Sequence, residues 1–165
     1  MRNRIWNELC QAKFKAVYTS LLYEHHKKIN QIYNISIIII SASGILGWGF
    51  WDKIPLIACI IIGIISIFKE LKNEILLNDK GFEAINKMHI FYTNYLNEIE
   101  NLWYYFENGL SEEEGRLLFY KIKKSEADVL NIVNEITKST HKSIQKKASI
   151  ECNLYFKNIF NTSSL

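Results

Sequence analysis

One proline and seven glycines in 165 residues leave little material for tight turns, which argues against a hairpin-rich β architecture. The three cysteines, Cys10, Cys59 and Cys152, are an odd number and lie far apart in the chain. They predict neither a disulfide nor a metal site. The sequence has no glycine-rich nucleotide loop and no Gly-x-Ser-x-Gly, so two common enzyme classes lose their signature. His25 and His26 are adjacent and diverge on a helix, His89 falls in an apolar repeat, and His141 opens a basic segment. Glu112 to Glu114 place acids side by side, but a helix start accounts for them, and paired acids alone do not make an acid–base site. No catalytic residue, metal or cofactor is expected, and the chain reads as a non-enzyme.

The most informative absence is charge. Ile29 to Trp51 carries no charged side chain, Ile54 to Phe68 carries none, and only Asp52 and Lys53 separate the two stretches. A transmembrane helix takes about 20 predominantly apolar residues to cross about 30 Å of hydrocarbon. The first stretch has that length. The second is short, but Lys69 and Lys72 can lay their stems along the helix and lift their ammonium groups to the interface. The pair predicts a transmembrane helical hairpin, 29–51 and 54–68. Trp48, Phe50 and Trp51 stand where an aromatic belt belongs.

Charge is unevenly spread around the hairpin. Residues 1–28 hold six basic and two acidic side chains, residues 69–120 five and ten, and residues 121–165 eight and four. Lys27 and Lys28 before the first stretch, with Lys69 and Lys72 after the second, put both termini in the cytoplasm and the 52–53 turn outside. The layout divides the chain into an N-terminal amphipathic helix (1–28), the hairpin (29–68) and a cytosolic helical domain (69–165). The fold class is all-α, an oligomeric transmembrane hairpin above a cytosolic helical bundle.

Within residues 5–28, Ile5, Leu9, Ala12, Ala16, Thr19, Leu22 and Tyr23 fall at helical spacing, with Lys13, Lys15 and Glu24 away from them. This reads as a packing helix, the alternative being a surface-lying one with Trp6 and Tyr18 at the bilayer. Phe82, Ile85, His89, Tyr92, Leu96, Ile99, Trp103 and Phe106 step alternately by three and four, a heptad-like seam through which copies can assemble. Asn108-Gly109 ends it, and Ser111 to Glu114 predicts a capping box. Leu118, Ile122, Val129, Val133 and Ile136 mark the next helix; Ile144, Ala148, Cys152 and Tyr155 mark the last, from about Thr140 to Phe156.

Two sets of side chains carry the functional expectations. Asn34, Ser41, Gly44 and Trp48, with Asn30, fall near one face of the first stretch. They bond across helices as glue, or they line a water-filled pore, which two helices cannot enclose but an oligomer can. Lys121 and Lys124, with Lys123, sit early in one helix; Lys138, His141, Lys142, Lys146 and Lys147 sit late in the chain. Lys138, Lys142 and Lys146 stack at a spacing of four. Such a stripe neutralises phosphates, lies on anionic lipid, or is simply solvated. Tyr120, His141, Tyr155 and Phe156 are candidate stacking faces for bases.

The order of parts — an N-terminal helix with Trp6 and Tyr18, the hairpin Ile35–Trp51 and Ile54–Phe68, the Lys69-Glu70-Leu71-Lys72 exit and a helical tail — resembles the SLATT family of small bacterial two-span effectors. It looks most like the membrane effectors of Hailong-type anti-phage defence. That resemblance implies a pore-forming channel in the lipid bilayer of the bacterial inner membrane; a homotetramer is expected because four two-span hairpins give an eight-helix pore domain. The resemblance also implies a nucleotide or single-stranded oligonucleotide ligand made by a partner nucleotidyltransferase and held by residues 69–165. The competing expectations are a non-conducting tether that recruits a protein through its cytosolic helices, and a lipid-perturbing toxin without a defined pore.

Overall fold

A computed structural model describes residues 1–46, 55–70, 79–136 and 141–160. The protein is all-α: five helices run among these residues, α1 (Arg2–Leu46), α2 (Pro55–Glu70), α3 (Asp79–Glu107), α4 (Glu112–Ile136) and α5 (Lys142–Phe160). They fall into two compact units, one of Met1–Tyr23 with Glu83–Leu165 and one of Glu24–Phe82. Helix α1 contributes to both, and the expected boundary between 28 and 29 lies inside it. The 52–53 turn, Trp48 and Lys138 lie outside the described residues.

Local sequence sets the elbow between α3 and α4. Gly109 has φ of 98°, a left-handed conformation that glycine adopts without steric cost. The Leu110 N–H donates to the Tyr105 carbonyl at 3.1 Å and the Gly109 N–H to the Phe106 carbonyl at 3.2 Å. These two bonds are a Schellman motif that satisfies the carbonyls α3 leaves unpaired. Ser111 then starts α4: its hydroxyl accepts from the Glu114 N–H at 3.3 Å and donates to the Glu114 carboxylate at 2.7 Å. Gly115 seats α4 against α3, because a Cβ there would stand 3.0 Å from the Phe106 ring.

The first unit has one apolar core. Ile5, Leu9, Ala12 and Ala16 of α1 pack with Tyr92, Tyr95, Leu96, Ile99, Leu102 and Trp103 of α3 and Phe119 of α4. Trp6 lies 5.0 Å from Trp103 and 5.3 Å from Phe156 of α5, and Tyr18 is buried. The first half of α1 is therefore a packing helix, and neither aromatic is laid out for a bilayer surface. Each large side chain enclosed here contributes about 1.5–3 kcal/mol.

The α3 repeat corrects one expectation. Ile85, Tyr92, Leu96, Ile99 and Trp103 are buried as spaced, but so are Met88, Tyr95 and Leu102. The stripe is wider than a two-position seam because α3 touches several helices of its own chain. The seam is buried within one copy. On α4 the inward residues are Gly115, Phe119, Ile122 and Glu126, while Leu118 is exposed. Helix α5 turns Ile144, Ala148 and Cys152 inward, as its spacing predicts.

The second unit has the opposite surface. Ile32, Ile38 and Ile62 are 64%, 66% and 63% exposed, and Ile35, Ile39, Ile60, Ile64 and Ile67 are exposed beside them. Tyr33, Ser36, Ile37 and Ile40 of α1 and Ile65 of α2 enclose a cavity of about 20 Å³, too narrow for more than a single water. The Ser66 hydroxyl donates to the Ile62 carbonyl one turn back at 2.9 Å, which satisfies it inside its own helix. A Cβ at Gly63 would meet nothing within 4 Å, and Cys59 and Ser66 are exposed with it. Among the described residues no helix is long and apolar enough to cross a membrane.

Leu96→Asp places an unpaired carboxylate in the core of the first unit and is expected to cost roughly 3–5 kcal/mol. Urea unfolding followed by tryptophan fluorescence should show an early or absent cooperative transition, since Trp6 and Trp103 report that core. An unchanged midpoint would return the residue to an exposed seam.

Candidate anion-binding surface and buried ion-pair cluster

The lysines of α5 lie where its amphipathic pattern puts them. With Ile144, Ala148 and Cys152 inward, Lys142, Lys146 and Lys147 are exposed. Lys142 and Lys146, one turn apart, share a face. His141 is half-buried, and its carbonyl accepts from the Gln145 N–H at 3.0 Å. On α4, Lys121 and Lys124 are exposed. Among the described residues none of these five lysines makes an ion pair, so each ammonium faces water uncompensated. Lys121 also edges an open cavity of about 410 Å³ between α3 and α4, lined by Glu98, Asn101, Tyr105, Leu118 and Ser125.

Asn34 is exposed on α1 amid the isoleucine surface, as is Asn30. Ser41 and Gly44 lie on the helical backbone of α1, the Ser41 side chain being outside the described set, and Trp48 is outside it altogether. The pore-lining set is thus placed at Asn34 alone.

Three expected ligand contacts are committed elsewhere. Arg4 stands over the Tyr120 ring at 5.1 Å and donates to its hydroxyl at 3.0 Å. Lys13 lies 3.5 Å over the Tyr155 ring, whose hydroxyl donates to Glu100. Phe156 packs on Trp6. Tyr155 and Phe156 are structural rather than open platforms for bases, and Tyr120 already holds a cation.

Lys123 belongs to a different feature, which the spacing of apolar residues does not announce. Its ammonium reaches Glu8 of α1 at 2.8 Å and Glu126 of α4 at 2.7 Å. Lys15 of α1 pairs with the other oxygen of Glu126. The Tyr95 hydroxyl donates to Glu8 at 2.8 Å, and the Tyr92 hydroxyl approaches Glu126 at 3.4 Å. Glu8 and Glu126 are buried. Two carboxylates, two ammonium groups and two phenols from three helices form a charge-balanced cluster, which is the condition for keeping acids out of water. The available signal was Glu8 and Glu126 standing on inward stripes, each within helical reach of the core, with a lysine on the facing helix.

The cluster's ionisation follows from its partners. Burial favours the neutral form of Glu126, but hydrogen bonds from Lys123 and Lys15 outweigh it and hold the carboxyl below its usual 4.5. Burial likewise works against the Lys123 ammonium, yet its bonds to Glu126 and Glu8 leave it raised above 10.5. Burial, then the charge of Glu126, pushes the Tyr92 phenol from 10.0 up to about 12. Tyr95 moves the same way, by burial and by its bond to Glu8.

A depressed carboxyl contributes stability above its unfolded value that is lost as pH falls through the folded one; raised groups contribute below their unfolded values and lose it as pH climbs. The cluster's contribution to the unfolding free energy is therefore expected to be flat from about pH 5 to pH 10. It should fall below 4.5 as Glu126 protonates and again between pH 10.0 and about 12 as Tyr92 ionises. Glu126→Gln should flatten the acid limb and cost about 2 kcal/mol, less than a fully buried pair because Lys15 and Lys123 keep some water. An acid limb unchanged in Glu126→Gln would place its origin at other carboxylates. The chain matches no family model, no curated protein and no solved structure.

Proposed function

We propose that this chain is a pore-forming membrane effector of a bacterial anti-phage defence system. It acts as an ion channel whose opening is controlled by an anionic nucleotide or oligonucleotide bound by its cytosolic helices. The observation that carries this reading is the isoleucine surface of the second unit. Eight exposed isoleucines on two helices, with no charged residue between Ile29 and Leu46 or between Pro55 and Phe68, make a surface that water does not tolerate and that lipid or further copies must cover.

Helix α2 has 16 residues, about 24 Å at the helical rise of about 1.5 Å, against about 30 Å of hydrocarbon. In this reading the sequence flanking α2, with Lys69 and Lys72, makes up the shortfall, and the first crossing is read from the uncharged sequence up to Trp51. Both termini are cytoplasmic. Exposed Asn34 in such a setting needs a partner or water. Copies arranged about an axis supply either, with Ser41, Gly44 and Trp48 continuing the polar line. Four hairpins give eight spans around a pore.

The ligand side rests on the uncompensated lysines. Lys142, Lys146 and Lys147 on α5, with Lys138, His141, Lys121 and Lys124, repeat around the axis of a homotetramer and concentrate positive potential there. A ligand shifts a closed–open balance only by binding one state more tightly, so the spacing of these lysines differs between the two. The resemblance to the SLATT family supports the same reading and names a nucleotidyltransferase as the partner that makes the ligand. The open α3–α4 cavity favours the rival, a tether that holds a protein partner.

Reconstitution into planar bilayers separates these outcomes. Unitary conductance steps that respond to short single-stranded DNA are expected. Silence under every nucleotide condition leaves the tether, and graded leakage without steps leaves a lipid-perturbing toxin. Chain that stays in the supernatant after ultracentrifugation without detergent removes the membrane reading entirely. Lys142→Glu with Lys146→Glu should weaken oligonucleotide binding at least about tenfold at low salt and reduce the slope of log affinity against log salt by about 2. Equal affinity and slope would make the stripe a solvated face.

A further inference from the structure

Cys10 and Cys152 are 142 residues apart in sequence, yet the Cys152 thiol lies 3.8 Å from the main-chain carbonyl of Cys10. The packing of α5 against the first half of α1 brings these two cysteines together although they lie far apart in the chain. The register explains the meeting. Trp6 of α1 faces Phe156 of α5 at 5.3 Å. One turn forward on α1 is Cys10 and one turn back on α5 is Cys152, which is how facing positions advance along two antiparallel helices. Cys10 is partly buried and Cys152 is buried.

We propose that Cys10 and Cys152 form an oxidation site, a thiol pair that a low-molecular-weight disulfide converts into a cross-link between the first and last helices. The Cys10 thiolate, the less buried of the two, attacks one sulfur of the reagent; a mixed disulfide forms and one reduced thiol leaves. The Cys152 sulfur then attacks the Cys10 sulfur, the second reduced thiol leaves, and the protein has given up two electrons and two protons to the reagent. Burial pushes both thiols up, so the pair reacts slowly at neutral pH and faster in mild base. The product staples α5, the helix that carries Lys142, Lys146 and Lys147, to α1. It also closes a loop that spans most of the chain, which restricts the unfolded state more than a short loop does.

The test incubates the purified full chain in detergent with oxidised glutathione at mildly alkaline pH. Intact mass should fall by two hydrogen atoms, and digestion should yield one peptide pair joining Cys10 to Cys152. The thermal midpoint should rise by several degrees and return on reduction. Cys59→Ser should behave like the parent, while Cys10→Ser and Cys152→Ser should show neither the mass loss nor the shift. A mixed disulfide that persists at Cys10, a cross-link through Cys59, or no reaction at alkaline pH in chain that refolds normally would each overturn the proposal.

Discussion

Lys123 holding Glu8 and Glu126 at once is the interaction that fixes the first unit. Apolar packing brings α1, α3 and α4 together but accepts small shifts along their axes, since hydrophobic contact has no direction. A buried carboxylate does not accept them. Displacing α4 along its axis would strip Glu8 of Lys123 and leave it in a space closed by Tyr95. An uncompensated buried charge costs far more than a paired one returns. The cluster adds little net stability and instead penalises every other register.

The two units face opposite solvation problems. The first solves its own: aromatic and aliphatic side chains go inward, acids and lysines that must be buried are paired, and the remaining lysines stay in water. The second leaves its isoleucines outward and keeps its polar atoms quiet by local means, as when Ser66 bonds back within its own helix. A folded chain tolerates scattered exposed apolar residues, but not a continuous belt of them, unless another medium completes the structure. The basic surface of α5 and the apolar surface of the second unit are the two features on which the proposed function rests.

Much of this was legible in the residues. The helical class, the Gly109 stop, the Ser111 start and the inward line of α5 all come from local chemistry: backbone conformation, capping and periodicity. What was not legible depends on which helix lies opposite. The α3 repeat announces a sticky face without saying whose, and the face proved to be shared with its own α1. Lys123 looks like Lys121 and Lys124 until Glu8, 115 residues away, stands beside it. Tyr155 and Phe156 looked available for a ligand because the partners that occupy them, Lys13 and Trp6, come from the other end of the chain. Cys10 and Cys152 were separated by sequence and joined by register in the same way.

The elbow between α3 and α4 is held at three points: the left-handed Gly109, the reciprocal bonds of Ser111 and Glu114, and the bare Cα of Gly115 against Phe106. Three local ties in seven residues make this corner a short, capped connection rather than a long loop, so the angle between α3 and α4 is written into the residues from Gly109 to Gly115 themselves.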